Sequence, residues 1–372
     1  MSSTEKPLAP ALNMVAPAIT SNNLDFYVFY NMSFGSTNYL GITSMQSQNW
    51  GTSNLTGPNS YVSNASPIGA TTAPSAISVN GTVYVSYVNT SNQIVVISGS
   101  GTTWTQLPII TNFTSLQGYR LFTDGTSCFI GYNDNGMMKY TTYQGGAWTT
   151  AVMLNTTMGT CASAPVASLG NQFIFYVDGN HIRCYYCASD QIASIRYRPG
   201  DQAGFYSSFM SIPAGSTGFT LKGFNYVNAQ SQSYPSLMVA NSFGYVDVYI
   251  SNNTQPGNKW NHFPFPSGSP ALKYGADVSS VNGGVFVAYP DASGNIQMMY
   301  SMDGQNFSTL QIAGSNGYAL APACNMVPTL ATYNNFVLHV GYANSTPAIT
   351  DVFWAFWWNT VNLYPLSFQG MK

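Results

Sequence analysis

One phrase recurs along the chain, Asn, Asp and Gly turns cut it into short aromatic and β-branched stretches, and helix-forming periodicity is almost absent. These three observations predict an all-β fold, a single seven-bladed β-propeller with four antiparallel strands per blade. The phrase is Ala16-Pro17-Ala18-Ile19-Thr20 followed by Asn22-Asn23. It returns as Ala73-Pro74-Ser75-Ala76-Ile77-Ser78 before Asn80-Gly81, and as Ala164-Pro165-Val166-Ala167-Ser168 before Gly170-Asn171. A further copy is Val327-Pro328-Thr329-Leu330-Ala331-Thr332 before Asn334-Asn335. Weaker copies run from Gly118 to Asp124-Gly125, from Gly223 to Asn228 and from Gly275 to Asn282-Gly283-Gly284. The units therefore begin near residues 14, 71, 115, 162, 219, 272 and 324, which makes 1–13 a tail or closure segment and 14–372 the propeller.

Within a unit, the first turn leads to a stretch such as Phe26-Tyr27-Val28-Phe29-Tyr30, Val83-Tyr84-Val85-Ser86-Tyr87 or Val285-Phe286-Val287-Ala288-Tyr289. These read as strands, because aromatic and β-branched side chains fit a pleated, half-buried surface. A second turn follows at Asn89 to Asn92, Asn133-Asp134-Asn135-Gly136, Asp178-Gly179-Asn180, Asp291 to Asn295 or Asn344-Ser345-Thr346. Asn, Asp and Gly suit tight hairpins because they tolerate positive φ. A third turn leads to an aromatic at Trp50, Trp104, Trp148, Trp260 or Phe307, then to a fourth strand typified by Thr105-Gln106-Leu107-Pro108-Ile109. A lone blade leaves both faces bare, so neighbours stack and only short edges remain. The last unit ends in its own outer strand near Asn362 to Phe368, so the sequence points to no strand exchanged between the termini; Pro7 to Asn13 is the candidate closure segment.

Charged residues are 6% of the 372, with 10 Lys and Arg, 12 Asp and Glu and a net charge of -2. An average soluble domain carries roughly 25%. With no basic stripe to displace counterions from a phosphate backbone, nucleic acid is excluded as the expected partner. The strongest apolar run, Val352-Phe353-Trp354-Ala355-Phe356-Trp357-Trp358, is far short of a spanning helix, so no membrane insertion is expected. The start, Met1-Ser2-Ser3-Thr4-Glu5-Lys6-Pro7, lacks the apolar core of a signal peptide, which favours a cytoplasmic or leaderless-secreted protein. Five cysteines are an odd number for a disulfide framework, and Cys184 and Cys187 lie in a stretch where residues three apart face opposite ways. Reduced, mostly buried thiols are expected. The ten Asn-X-Ser/Thr sequons, Asn31, Asn54, Asn80, Asn112 and Asn306 among them, are what a chain rich in Ser, Thr and Asn produces by chance.

Sugar hydrolysis on such a ring needs paired carboxylates. The chain has eleven Asp and one Glu, and Glu5 lies in the tail. Charge concentrates in the fourth unit, where Asp178, Arg183, Asp190, Arg196, Arg198 and Asp201 are six of the 22 charges within 24 residues. A solvated loop with locally paired charges and a singular site are both readings of that stretch. If it is a site, Arg183, Arg196, Arg198 and Asp190 form it. No metal or cofactor is expected, since His181, His262 and His339 have no Asp, Glu, His or Cys at ligand spacing. No Gly-X-Ser-X-Gly elbow occurs either.

The recurrent aromatics Trp50, Trp104, Trp148, Trp260 and Phe307 have two readings. Structurally, each locks its hairpin onto the neighbouring blade. Functionally, an aromatic ring among uncharged Asn, Ser, Thr and Tyr groups suits a neutral glycan, whose C–H face stacks on the ring while its hydroxyls find hydrogen-bond partners. Repetition around a ring would convert weak sites into avidity.

Units such as Ala73-Pro74-Ser75-Ala76-Ile77-Ser78 with Val83-Tyr84-Val85, Asn92-Gln93-Ile94 and Gly101-Thr102-Thr103-Trp104 resemble blades of the β-propeller lectins, both the six-bladed fucose-binding fungal lectins and the seven-bladed bacterial lectins. Tyr140-Thr141-Thr142-Tyr143-Gln144-Gly145-Gly146-Ala147-Trp148 is similar to the tail of a fucose-lectin blade. Ser301-Met302-Asp303-Gly304-Gln305-Asn306-Phe307 resembles a shortened Asp-box turn of sialidase-type propellers. The resemblance implies a non-catalytic, multivalent lectin with glycans as partners. Fucose lectins place an Arg, a Glu and an aromatic in each site, whereas here only the aromatic recurs. The alternatives are a protein-interaction or structural propeller, with a homodimer formed through the exposed member of Trp354, Trp357 and Trp358, and a glycosidase using Asp178, Asp190 or Asp201.

Overall fold

In a computed structural model of the chain, every regular element among the described residues is a β-strand. The described residues are 18–22, 25–34, 36–46, 49–54, 65–101, 103–123, 126–153, 164–168, 171–178, 181–186, 191–195, 220–240, 244–251, 260–273, 275–281, 283–313, 327–333, 337–343, 349–356 and 365–367.

The strands pair antiparallel into sheets in chain order. The first is β1 (Ala18–Ser21), β2 (Phe26–Phe34), β3 (Thr37–Gln46) and β4 (Asn49–Asn54). The next is β5 (Ser75–Val79), β6 (Thr82–Val88), β7 (Ile94–Ser100) and β8 (Thr103–Gln106). Then come β9 (Leu116–Thr123), β10 (Cys128–Asp134), β11 (Met137–Gln144), β12 (Ala147–Trp148) and β13 (Val152–Met153). They are followed by β14 (Ala164–Ser168), β15 (Asn171–Asp178), β16 (His181–Tyr186) and β17 (Gln191–Ile195). Next is β18 (Thr220–Val227), β19 (Ser233–Ala240), β20 (Val246–Ser251) and β21 (Trp260–Phe263). The remaining two sheets are β22 (Asp277–Val281), β23 (Gly284–Pro290), β24 (Ile296–Ser301) and β25 (Ser308–Ala313), then β26 (Thr329–Tyr333), β27 (Val337–Ala343), β28 (Ile349–Phe356) and β29 (Pro365–Ser367).

The first strand of each sheet lies against the first strand of the next, from β1 through β5, β9, β14, β18 and β22 to β26, and β26 in turn lies against β1. The sheets thus radiate from an axis ringed by their first strands, the all-β propeller arrangement expected from the repeats. Among the described residues the ring closes by packing β26 on β1, and every sheet is built from consecutive strands. The segment Pro7 to Asn13, offered as a closure element, lies outside the described residues.

The rule of four strands fails in one sheet. There the turn Gly145-Gly146, with φ of 61° and 85°, lets β12 pair over two residues only. Thr149 then bends inward, its carbonyl accepting from Thr141 Oγ1 at 2.6 Å and its Oγ1 accepting from the Thr142 amide at 3.1 Å. The chain resumes as β13 on the same neighbour, Val152 opposite Tyr140. One outer strand has been broken in two by a side-chain clamp.

The core lies in the joints between sheets. One cluster joins Tyr27, Phe29, Leu40 and Ile42 of the first sheet to Val83, Val85, Tyr87, Val95 and Ile97 of the next. A second joins Val96, Val88 and Ile94 to Leu121, Cys128, Ile130 and Tyr132, and a third joins Phe224, Met238 and Val248 to Val278, Val285, Val287 and Met299. Alternate residues of each central strand therefore serve opposite neighbours, Val85 and Tyr87 on one side and Val96 and Ile94 of the paired strand on the other, as the period of two requires. The linkers are tied into these joints. Asn31 Nδ2 donates to the Gly69, Ala70 and Thr72 carbonyls at 2.9, 3.3 and 3.1 Å, and Tyr87 donates to the Ser66 carbonyl at 2.7 Å.

The second-turn expectation holds in detail where the turns are described. Asn89 Oδ1 accepts from the Ser91 and Gln93 amides, and Asp291 Oδ1 from the Ser293 and Asn295 amides. Asn92 and Asn135 in these turns adopt positive φ, as does Asn80 in a first turn. Cys128 is a free, buried thiol, and burial pushes its pKa up to about 12.

Candidate functional site

The third-turn aromatics sit in the hairpin between the third and fourth strands, and their surroundings differ from joint to joint. Trp104, in β8, is 5% exposed and packs edge-on to Tyr27 and Phe29 of the preceding sheet, with ring centroids 6.0 and 5.7 Å away. Its Nε1 donates to the Gly101 carbonyl at 3.0 Å. Directly across the ladder stands Gly99, where an added Cβ would come within 2.2 Å of the Thr103 carbonyl oxygen and 2.8 Å of the indole. The indole therefore lies over a bare backbone and closes the joint.

Polar groups seal that joint's rim. Tyr27 donates to Asp25 Oδ2 at 2.9 Å and accepts from the Gly101 amide at 3.0 Å. Asn22 Nδ2 reaches both Tyr27 and Ser100 Oγ at 3.3 Å. Burial raises the pKa of the Tyr27 hydroxyl, so it stays a neutral donor.

Trp148 occupies the same hairpin place in β12, but opposite it stands Tyr143. The two rings tilt together at 5.3 Å, and both side chains remain half-buried. The indole Nε1 donates at 2.7 Å to the Pro108 carbonyl in the connection that follows β8, which fixes the ring across the joint. Tyr84, half-buried on the facing sheet, packs against the same core cluster, which includes Val96, Cys128 and Ile130. Desolvation raises the Tyr84 pKa, with smaller contributions from Cys128 and Tyr143. The result is an open shelf of one indole and one phenol beside the exposed Gly145-Gly146 turn, with Tyr84 on the same core.

Phe307 stands at a third joint, just before β25. It tilts against Phe263 of the preceding sheet at 5.4 Å and is half-buried. Tyr226 and Tyr234 lie in the same cluster, 6.2 Å apart, and Tyr226 donates to the Asp303 carbonyl at 2.9 Å. The Asp-box-like turn is organised by its carboxylate. Asp303 Oδ1 accepts from the Gln305 and Asn306 amides, each at 2.8 Å, and from Ser301 Oγ at 2.9 Å, while Oδ2 accepts from Asn306 Nδ2 at 2.7 Å. These donors hold its carboxyl well below the usual carboxylate range. Gly304, with φ of 68°, lies where a Cβ would meet the Tyr226 ring at 2.5 Å. The carboxylate is thus committed to the turn.

Trp260 is buried at the start of β21, opposite Ser251. Trp50 is placed by its backbone in β4, opposite Met45. In the fourth unit, Arg183 lies in β16 between Tyr176 and Ser194. Asp190, Arg196 and Arg198 lie outside the described residues, as do Asp201, Trp357 and Trp358. Sequence spacing offered no carboxylate to His262, but the fold does. His262 stands across from Tyr249 in the β20 ladder, and Asp247, two residues before Tyr249 on the same face, brings Oδ1 to 3.0 Å from Nε2. Among the described residues no group of three His, Cys, Asp or Glu could hold a metal.

Tyr84 and Tyr143 are the site members that the sequence did not single out. Their signal was present five residues before the tryptophan, where Tyr143 and Gly99 differ, but only the ladder reveals that this residue faces the indole.

No protein-family model matches the sequence, and no curated protein matches it. Solved structures do. The BP39L lectin from Burkholderia pseudomallei is 14% identical, with 95% of this chain and 99% of that one covered and a TM-score of 0.64. The six-bladed β-propeller lectin of Aleuria aurantia, described with a fucose recognition mode, is 15% identical over 85% of this chain and 99% of that one, with a TM-score of 0.52. A mutant of AofleA from Arthrobotrys oligospora is 10% identical over 99% and 91%, with a TM-score of 0.53. The chain therefore has the fold that these structures share, a β-propeller.

Proposed function

We propose that the chain is a non-catalytic, multivalent carbohydrate-binding protein that recognises neutral glycans at the joints between blades. The observation that carries the reading is the half-buried ring pair of Tyr143 and Trp148, an uncharged aromatic shelf beside the exposed Gly145-Gly146 turn, with Tyr84 on the same core. Such a platform pairs stacking on a sugar's C–H face with neutral hydrogen bonds. Supporting it, the structures that share the fold include lectins, one of them described by its recognition of fucose. The ring is proposed to have seven blades, one for each first strand around the axis, in a single domain running from 14 to 372 with 1–13 as a tail. Trp50, Trp260 and Phe307, with Arg183, Arg196, Arg198 and Asp190, are the further site residues proposed, and Trp104 contributes only as the joint's core.

The experiment is a glycan array with the full chain, followed by calorimetry on the best ligand for wild type and Trp148→Ala. Several sites per chain, with one fewer in the variant, is the expected result. Unchanged stoichiometry and affinity in a folded Trp148→Ala would remove this shelf from the reading, and no glycan bound by the wild type would remove the reading itself. An interaction surface would then lead, for which the exposed Val152 and Met153 on β13 are the candidates.

A further inference from the structure

Two Asn-Gly pairs stand at described hairpin tips and differ only in their surroundings. Asn80-Gly81 links β5 to β6 with φ of 49° and 79°, and Asn135-Gly136 links β10 to β11 with φ of 52° and 83°. Both therefore have the positive φ at each central residue that a tight two-residue hairpin demands. Both asparagines are exposed. The other Asn-Gly pairs of the sequence, at 282–283 and 316–317, lie partly or wholly outside the described residues.

The second of these turns is tied down. Gly136 is buried, and its amide donates to Asn133 Oδ1 at 2.8 Å. The Asn135 amide donates to the carbonyl of Ser115, just before β9, at 2.7 Å. The turn at Asn80 has none of this. Among the described residues the Gly81 amide has no acceptor and the Asn80 side chain no hydrogen-bond partner. A Cβ built on Gly81 would meet nothing within 4 Å, so the tip stands clear of the rest of the molecule. Only the pairing of Val79 with Thr82 closes it.

Asparagine is one of the thermolabile residues. Its side-chain carbonyl carbon is an electrophile, and the amide nitrogen of the following residue is a nucleophile within reach. When that residue is glycine, no Cβ shields the nitrogen. Once hydroxide has taken the amide proton, the Gly81 nitrogen can attack Asn80 Cγ. The N–Cγ bond forms, the Cγ–Nδ2 bond breaks, and Nδ2 departs as ammonia with a proton from water, leaving a five-membered succinimide. One water then opens the ring. Opening at the side-chain carbonyl gives aspartate and opening at the main-chain carbonyl gives isoaspartate. Water enters and ammonia leaves, so no oxidant or reductant is needed. A bare tip reaches the ring-closing geometry by a local turn rotation, whereas a bonded, buried amide must first be released by local opening.

We propose that Asn80 is a site of spontaneous deamidation through a succinimide and that the fold protects Asn135 from the same reaction. First and third turns lie at the same end of a four-stranded meander. The product therefore sets a carboxylate on the face of the ring that carries the Gly145-Gly146 turn. The chemistry itself does not depend on what that face binds.

The test incubates the folded full chain in mildly alkaline buffer and follows both peptides by mass spectrometry, with isoaspartyl methyltransferase labelling to report isoaspartate. Conversion at Asn80 is expected to rise with pH and to run about tenfold or more ahead of Asn135, since the latter must break two backbone-amide hydrogen bonds first. In guanidinium chloride the two rates should converge, because the residue that attacks is glycine in both. Equal rates in the folded chain, or an Asn80 that stays intact there while it converts in denaturant, overturns the proposal.

Discussion

The joint closed by Trp104 and the joint left open at Trp148 are built from the same repeat, yet one is core and the other a shelf. Both tryptophans occupy the second residue of a fourth strand, and both donate their indole N–H to a backbone carbonyl. The difference is the residue across the ladder. Gly99 lets the indole pack edge-on to Tyr27 and Phe29, whereas Tyr143 holds the other ring half-buried at the surface. One side chain therefore decides whether a recurring position in the repeat is buried in the joint or held at its surface.

The comparison is sharpest by truncation. Trp104→Ala is expected to cost about 3–5 kcal/mol in urea unfolding, as for a fully buried aromatic. Trp148→Ala should cost only about 1–2 kcal/mol, because part of its surface is already in water, while it removes one of the proposed glycan sites. Equal losses from the two would break the distinction.

Glycine substitutions come next in size. Gly99→Ala drives a Cβ into the Thr103 carbonyl and the Trp104 ring, and an overpacked, backbone-limited site should lose about 2–3 kcal/mol. Gly145→Ala, at φ of 61° with nothing within 4 Å, meets strain alone and should lose about 1 kcal/mol.

Alkaline titration separates the joints by a smaller effect. The Cys128 thiol beneath the open joint has its pKa raised to about 12 by burial, from an ordinary value of 9.0. As pH climbs above the ordinary value, the unfolded chain releases this proton and the folded chain keeps it, so stability falls with rising pH. The slope contributed by this thiol should approach about 1.4 kcal/mol per pH unit by pH 10, and Cys128→Val should flatten it in chemical unfolding followed from pH 8 to pH 10. The buried hydroxyl of Tyr87 acts in the same direction in both variants.

The smallest effect is Tyr143→Phe, which removes a hydroxyl and leaves the ring. Stability should stay within about 0.5 kcal/mol, while affinity for the best glycan falls by a few-fold, as expected for one exposed neutral hydrogen bond. Full affinity would make the phenol a packing group alone.

Much of this architecture could be read locally. The recurring Ala-Pro phrase, the period-two strands and the Asn, Asp and Gly turns depend on a residue and its near neighbours, so all-β character, turn positions and the once-per-blade aromatic were legible before any fold was known. The outer strand broken at Thr149 was not, since its clamp is formed by Thr141 across the hairpin. The Asp247 and His262 pair was hidden for the same reason: 15 residues of chain separate them, and only the β20 and β21 register puts them on one face.

By itself the sequence determined what kind of surface this protein has, neutral, rich in amides, hydroxyls and aromatics, and that its unit recurs. Tertiary structure decided what each copy does, because an aromatic's role depends on the side chain across its ladder and on the facing sheet. It also brought Lys222, Asp277 and the Leu330 amide, from three successive sheets, into contact near a common axis. Ring closure is the physical reason: packing β26 on β1 forces the first strands to share one centre, and polar groups scattered along the chain become neighbours there.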